Sequence, residues 1–396
     1  MTQPYAWGSH TAIAELQGRP APTAEPEAEL WLGAHPSAPS GLVRADGATT
    51  LDAVIRADPA RQLGPRCAAR FGGRLPFLLK ILAADHSLSI QVHPSRAQAE
   101  AGYRAEQERG LPPGGKSRNY VDDWPKPELL CALTEFETLA GMRDRAGAAA
   151  LLRTLGVPGL APLAAEIAAA AGPAVLGRAL AAVLSWPADD RAALVDAVTA
   201  ACERVAADGG EYAAACAAAV RLACEHPGDL GVVASLLLRH AVLPPGAAVF
   251  MPAGAPHAYL RGTGVELLAN SDNVVRAGLT SKHVDVAELL KLLDPAAPVP
   301  VIEPRPAGAG LRAYDSPAPE FRLYRADPDA GSGPVTLPGD GGARIVLCTE
   351  GSAVLRSAGR TLTVGRGGSC YLSAADRAVS VTGPAVLFVA TAGDCG

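Results

Sequence analysis

The chain has 396 residues, 49% of them hydrophobic and 19% charged, with a formal net charge of −5 at pH 7. That supplies apolar material for two or three domains and excludes the basic footprint of a protein that binds nucleic acid or an anionic membrane. The first residues, M-T-Q-P-Y-A-W-G-S-H, lack the basic and apolar regions of a secretory signal, so the eight scattered cysteines, none in a C-x-x-C pair, read as reduced thiols of a cytoplasmic protein.

Residues 1–142 mix short β-like runs with turns rich in Gly, Pro, Asp and Ser. Leu75 to Leu82 reads as a buried strand. His86 to His93, H-S-L-S-I-Q-V-H, alternates with the period of a strand: Ser87, Ser89, Gln91 and His93 share one face, and Leu88, Ile90 and Val92 the other. Residues 143–242 are dominated by Ala and Leu and punctuated by Pro158, Pro162, Pro173, Pro187 and Pro227, which predicts four to six helices with an architectural role. The apolar stretch Ala161 to Leu184 holds Glu166 and Arg178 and breaks at Gly172-Pro173, so it reads as soluble helices and not as a membrane span. Cys202, Cys216 and Cys224 are expected to be small core residues there. From Val242 the β character returns, with a turn at Pro244 to Gly246, a strand over Ala248 to Met251 and a short helix over Val286 to Leu293. A Pro-rich stretch, 295–306, leads to a tail of short strands with Gly-rich turns, including 343–348 and 385–390, which suggests a β-sandwich or jelly roll. The tail contains no histidine and is expected to be structural.

Chemistry concentrates in two places. Gln91 and His93 leave one face of a strand about 7 Å apart, and two neutral donors placed so make half of a divalent-metal site. The segment Gly246 to His257 reads G-x5-P-x-G-x2-H, the spacing of the second cupin motif. Pro252 and Gly254 set a turn that would project His257 into a barrel, while Arg261 stands where an Asn is often found.

The blocks 75–94 (L-P-F-L-L-K-I-L-A-A-D-H-S-L-S-I-Q-V-H-P), 126–128 (K-P-E), 250–259 (F-M-P-A-G-A-P-H-A-Y) and 271–282 (S-D-N-V-V-R-A-G-L-T-S-K) resemble the type I mannose-6-phosphate isomerases of the cupin superfamily. Y-A-W-G (5–8) and A-E-L-W-L-G-A-H-P-S (28–37) add to the match. The resemblance implies a mainly β fold with an α-helical insertion: two cupin-type jelly-roll barrels plus a helical domain. The boundaries expected are 1–142 with 243–305 for the catalytic cupin, 143–242 for the helices and 306–396 for a C-terminal cupin-like β domain. It also implies one Zn²⁺ per chain on Gln91, His93, Glu128 and His257, whose single carboxylate leaves the site positive beside a developing oxyanion.

By the same resemblance Arg276 is the active-site arginine, holding sugar oxygens or phosphate and stabilising an enediolate. Ser89 and Lys282 are candidates for the phosphate. Lys80, Lys126, Glu266 and Asp272 complete the polar pocket, with Lys126 and Glu266 as the alternatives for the proton-transfer base. His35 is a scaffold residue, and His10, His86, His226, His240 and His283 receive no role. The chain departs from the family in reading W-P-K-P-E instead of N-H-K-P-E, which replaces an Asn-His pair by Trp124-Pro125, and in having Ser281 where a Pro is usual. The function implied is interconversion of mannose 6-phosphate and fructose 6-phosphate by a monomer or weak homo-oligomer with no nucleic-acid or membrane partner. The alternatives are a related sugar or sugar-phosphate isomerase and a catalytically silent sugar-binding cupin.

Overall fold

Phe77–Ala84 is a strand with all eight residues buried, and its two faces serve different cores. Phe77, Leu79, Ile81 and Ala83 join one apolar cluster; Leu82 and Ala84 join another. Alternate side chains leave opposite faces of a strand, so a near-continuous apolar run is what a strand covered on both sides needs. Lys80 is the polar exception, on the inner face. The strand starts at Phe77, two residues later than the sequence suggests, because Pro76 has no N–H to give a ladder.

The computed structural model describes residues 1–44, 47–112, 115, 118–330 and 333–393. Among them, Phe77–Ala84 belongs to an eleven-stranded sheet built around the long strand His257–Ala269. The second half of that strand lies between Phe77–Ala84 and Glu128–Ala132, both antiparallel. Its first half pairs with Gln91 and with Phe136–Met142. The two halves meet at a bulge between Tyr259 and Arg261, followed by Gly262 at φ +127, where a Cβ would lie 2.6 Å from the Glu135 carbonyl oxygen. A bulge and a glycine bend a strand, and the sheet rolls toward a barrel with one continuous interior.

Each outer face has its own cover. Leu79, Ile81, Leu129, Val265 and Leu267 pack against Tyr314, Phe321, Leu323, Ile345 and Phe388, which belong to or border a second sheet of nine strands in the C-terminal part. Ile90, Val92, Ala258, Leu260 and Val275 pack against helices. These are Arg145–Leu155, Ala161–Ala169, Ala174–Leu184, Arg191–Asp208, Ala213–Glu225 and Gly231–Ser235, with the expected break before Ala174. The first is capped by Asp144, whose Oδ1 accepts the Gly147 N–H at 2.8 Å, and ends at Gly156 with φ +65. Among the described residues no helix is long and apolar enough to cross a membrane.

Three local expectations shift. Strand structure resumes at Leu238 instead of Val242, because Leu238–Leu243 pairs with the otherwise open edge of Phe136–Met142. The stretch 86–93 is extended but has a regular ladder only at Gln91–Val92, since the Ser87 N–H is taken by the Glu225 carboxylate at 2.9 Å. Cys202 and Cys216 are buried, whereas Cys224 is exposed; it sits about 200° around its helix from the buried Leu222.

Phe321 is fully buried where the two sheets meet, with its ring 6.5 Å from that of Phe250. Phe321→Ala is expected to cost about 3–5 kcal/mol, read as a clear fall in the unfolding midpoint, while Val43→Ala at a 97% exposed position leaves the midpoint within about 0.5 kcal/mol of wild type.

Candidate metal centre

Inside the barrel, three buried side chains from three different elements converge. Glu128 opens the strand Glu128–Ala132, His257 opens the long strand, and His93 follows Gln91–Val92. One donor atom from each lies within 4.8 Å of the others. The His93 Nε2 is 3.3 Å from Glu128 Oε1, and the His257 Nε2 is 3.2 Å from Glu128 Oε2. The other ring nitrogens face backbone carbonyls, Nδ1 of His93 donating to Asn273 O at 2.7 Å and Nδ1 of His257 to Ala255 O at 3.0 Å.

A carbonyl can only accept, so each bond fixes the proton on Nδ1 and leaves Nε2 with a bare lone pair. Both lone pairs then point at carboxylate oxygens, which are also acceptors, and His93 Nε2 has no hydrogen-bond partner. Burial pushes the His93 pKa down to about 4, with Lys126 adding to the effect, so protonation of His93 does not relieve its own clash near neutral pH. Burial would raise Glu128, but the charge of Lys126 leads the opposing effects and holds the carboxyl well below its ordinary range. A cation among the three groups satisfies all of them. The donor set of two imidazoles and one carboxylate, each imidazole oriented by a carbonyl, suits a divalent metal such as zinc.

The ladder places two more of the expected residues beside this group. Gln91 stands directly opposite His257, and Arg276 directly opposite Gln91, so the three share one interior face. On the other half of the barrel Trp31, Lys80 and Glu266 form a second row. Lys80 Nζ lies 3.3 Å from Glu29 Oε1 and 3.4 Å from Glu266 Oε2, and 4.9 Å from the Trp31 ring centroid. Burial pushes Lys80 down, but Glu29, Glu266 and Glu128 overcome it and hold the ammonium above the usual lysine range. Burial pushes Glu266 up to about 7, against the opposing charge of Lys80. Lys126 Nζ is 3.1 Å from Glu128 Oε1.

A cleft of about 880 Å³ joins the two rows. Lys80, Ser89, Gln91, Lys126, Glu128, Glu266, Asp272, Arg276 and Lys282 all line it, while His93 and His257 stand behind Glu128. Asp272 Oδ2 is 3.3 Å from His35 Nε2, and His35 is fixed by Ser37 Oγ at 2.8 Å, so His35 holds the cleft wall from behind. Trp124 does not reach the cleft. It is buried against Phe71, with ring centroids 5.9 Å apart, and under the Arg74 guanidinium at 4.3 Å.

Several lining residues carried no sequence signal of their own. Tyr5 and Trp7 come from the Y-A-W-G block, Glu29 and Trp31 from A-E-L-W-L-G; those blocks were legible only as family text. Glu225 and His226 come from the segment expected to be architectural. His226 Nε2 is 2.9 Å from Ser87 Oγ, and Asp229 Oδ2 accepts the Thr280 N–H at 2.9 Å. A Cβ on Gly278 would lie 2.6 Å from Gly231 Cα. The turn after the helix Ala213–Glu225 therefore grips both segments that form the rim.

Comparison with known proteins agrees with this geometry. A family model described as phosphomannose isomerase type I, catalytic domain, matches residues 1–145. Mannose-6-phosphate isomerase of Salmonella typhimurium is 35% identical over 392 residues, covering 96% of this chain and 95% of that protein. The Rattus norvegicus mannose-6-phosphate isomerase is 31% identical over 409 residues, covering 94% and 92%. Among solved structures, a zinc-bound mannose 6-phosphate isomerase superposes with a TM-score of 0.89 at 33% identity, covering 99% of this chain and 97% of that one. A variant of the Salmonella typhimurium phosphomannose isomerase gives 0.90 at the same identity and coverage.

His257→Ala and Glu128→Gln are each expected to weaken metal binding at least about tenfold, measured as metal retained after dialysis against a graded chelator. Full retention in either variant removes that residue from the site.

Proposed function

The chain belongs to the type I mannose-6-phosphate isomerases, and on that premise we propose that it interconverts mannose 6-phosphate and fructose 6-phosphate, with one zinc ion held by Gln91, His93, Glu128 and His257. The observation that carries this reading is the pair of buried imidazole lone pairs facing the Glu128 carboxylate, which itself lines a cleft with groups suited to a sugar phosphate. In the same reading, residues 1–142 with 243–305 and residues 306–396 are two cupin-type jelly rolls, and the helical segment between is an insertion. In the same reading the enzyme works in the cytoplasm.

Zinc held by these residues would supply a Lewis acid that stabilises negative charge developing on a sugar oxygen. The chain's own residues do the rest. Isomerisation takes the proton from C2 of the open-chain aldose, leaves an enediolate with charge on oxygen, and returns a proton to C1 while the C2 hydroxyl becomes the carbonyl. Of the two candidate bases, Glu266 is the better matched. Its carboxyl ionises at about 7, close to working pH, which maximises the population of base without making it too weak to accept a proton. Lys80, 3.4 Å away, fixes the carboxylate's direction and its charge. Lys126 offsets the charge of Glu128 at 3.1 Å and presents a cation to the developing oxyanion. Arg276, opposite Gln91 on the ladder, offers a fork of donors that stays charged even though burial lowers its pKa. Ser89, Asp272 and Lys282 bind substrate hydroxyls and phosphate. No imidazole occupies the Trp124-Pro125 position, so sugar-ring opening does not use one there.

The test is formation of fructose 6-phosphate from mannose 6-phosphate in a coupled assay on metal-analysed protein. Chelation is expected to abolish turnover and zinc to restore it. Arg276→Ala is expected to keep its metal and lose about 10²–10³ in kcat. Zinc-loaded protein that turns over another sugar phosphate but not this one would overturn the substrate assignment, and unchanged kcat in Arg276→Ala would remove that residue from the mechanism.

A further inference from the structure

The helical segment holds a pair of thiols that neither the cleft nor the metal donors use. Cys202 lies on the helix Arg191–Asp208 and Cys216 on the next, Ala213–Glu225. The two helices pack on each other within one core cluster, and Gly209, at φ +78, ends the first of them. Both cysteines are 0% exposed. Their side chains meet between the helices, the Cys202 S–H donating to the Cys216 sulfur, and both are free thiols.

The surroundings make the two sulfurs unequal. The bond from Cys202 favours the thiolate of Cys216, and the Arg143 guanidinium adds to it against burial, so Cys216 lies below its ordinary range. Donating that bond, together with burial, holds Cys202 above its own. Arg143 is half-buried over the Tyr212 ring, 5.9 Å from its centroid, and its Nε donates to Leu236 O at 3.2 Å. Its Nη2 is buried with no hydrogen-bond partner. A thiol beside a fixed cation is the more nucleophilic kind, and a second thiol in contact with it gives its oxidised form a partner to resolve it.

We propose that Cys202 and Cys216 form an oxidation site, closing to a disulfide when the protein meets hydrogen peroxide and opening again with a dithiol reductant. The Cys216 sulfur attacks one peroxide oxygen, the O–O bond breaks, and the departing hydroxide leaves as water with the thiol proton. Cys202 then attacks the sulfur of the resulting sulfenic acid. The S–S bond forms as the S–O bond breaks, and a second water carries off the Cys202 proton. Two electrons pass from the two thiols to one peroxide. Burial selects the oxidant, since a molecule little larger than water enters through brief openings of the helix pair and a bulky disulfide does not.

The cross-link closes a loop of about 15 residues and restricts the unfolded helix pair. The second helix of that pair carries Arg221, bonded to Glu137 Oε1 at 2.5 Å, and Glu225, which accepts the Ser87 N–H at 2.9 Å. Oxidation therefore stiffens the support of the cleft rim without altering a group that lines the cleft.

The experiment treats full-length, zinc-loaded protein with hydrogen peroxide, blocks the remaining thiols with iodoacetamide and digests it with trypsin. Arg191, Arg204 and Arg221 place the two cysteines in separate peptides, 192–204 and 205–221, with Cys224 in a third. The first two are expected to appear joined, by a bond that a dithiol reductant breaks. Cys202→Ala should stop at a sulfenic acid on Cys216 that dimedone traps, and Cys216→Ala should lower the rate of peroxide consumption at least about tenfold. Oxidised wild type should melt a few degrees higher, with zinc content unchanged and with kcat and KM at room temperature within about twofold of the reduced form. Separate, fully alkylated peptides 192–204 and 205–221 after peroxide overturn the proposal, as does a cross-link that joins Cys224 instead. The wild-type peptide map needs no variant, so it decides even where a substitution in this core impairs folding.

Discussion

The structure is organised around an arrangement that is unfavourable by itself. Two buried imidazoles spend their ring protons on backbone carbonyls, Asn273 O and Ala255 O, and turn their lone pairs toward one carboxylate. Acceptor facing acceptor in a low-dielectric interior is costly, and it persists because the rolled sheet holds the three donors from separate strands in fixed positions. The same carbonyls that create the conflict also preorganise the nitrogens for a cation.

The sheet can hold so many charges because much of its apolar burial lies outside. The outer face of one half-sheet is buried under the C-terminal strands and that of the other under helices, while the inner face carries Glu29, Lys80, Lys126, Glu128 and Glu266 beside a smaller apolar cluster with Leu82, Ala84 and Leu130. These are arranged so that each buried carboxylate has a cation or an imidazole within about 3.5 Å. Burial and pairing then divide their roles. Glu128, with Lys126 at 3.1 Å, is held ionised, whereas Glu266, with Lys80 shared between it and Glu29, is pushed up to about 7.

Much of the fold and the candidate site was legible in the sequence, for identifiable reasons. Period-two alternation gave the right face to Gln91 and His93, and the Pro252–Gly254 turn gave the right start to the strand that opens with His257. The apolar run Leu75 to Leu82 announced a buried strand, which the structure places at Phe77–Ala84. What was not legible depends on long-range partners. The Ser87 ladder breaks because a glutamate 138 residues away takes its N–H. Leu238–Leu243 is a strand because Phe136–Met142 needs an edge partner. Cys202 and Cys216 carry no motif, and only the packed helix pair brings their thiols together.

The turn from Glu225 to Gly231 belongs to the helices by sequence but to the rim by bonding, through Ser87, Thr280 and the close approach of Gly231 to Gly278. Metal donors and substrate rim are therefore anchored to different parts of the molecule, the one to the sheet and the other to the helical cap. Warming that loosens the cap first would leave an enzyme that still holds its ion yet has lost its hold on sugar.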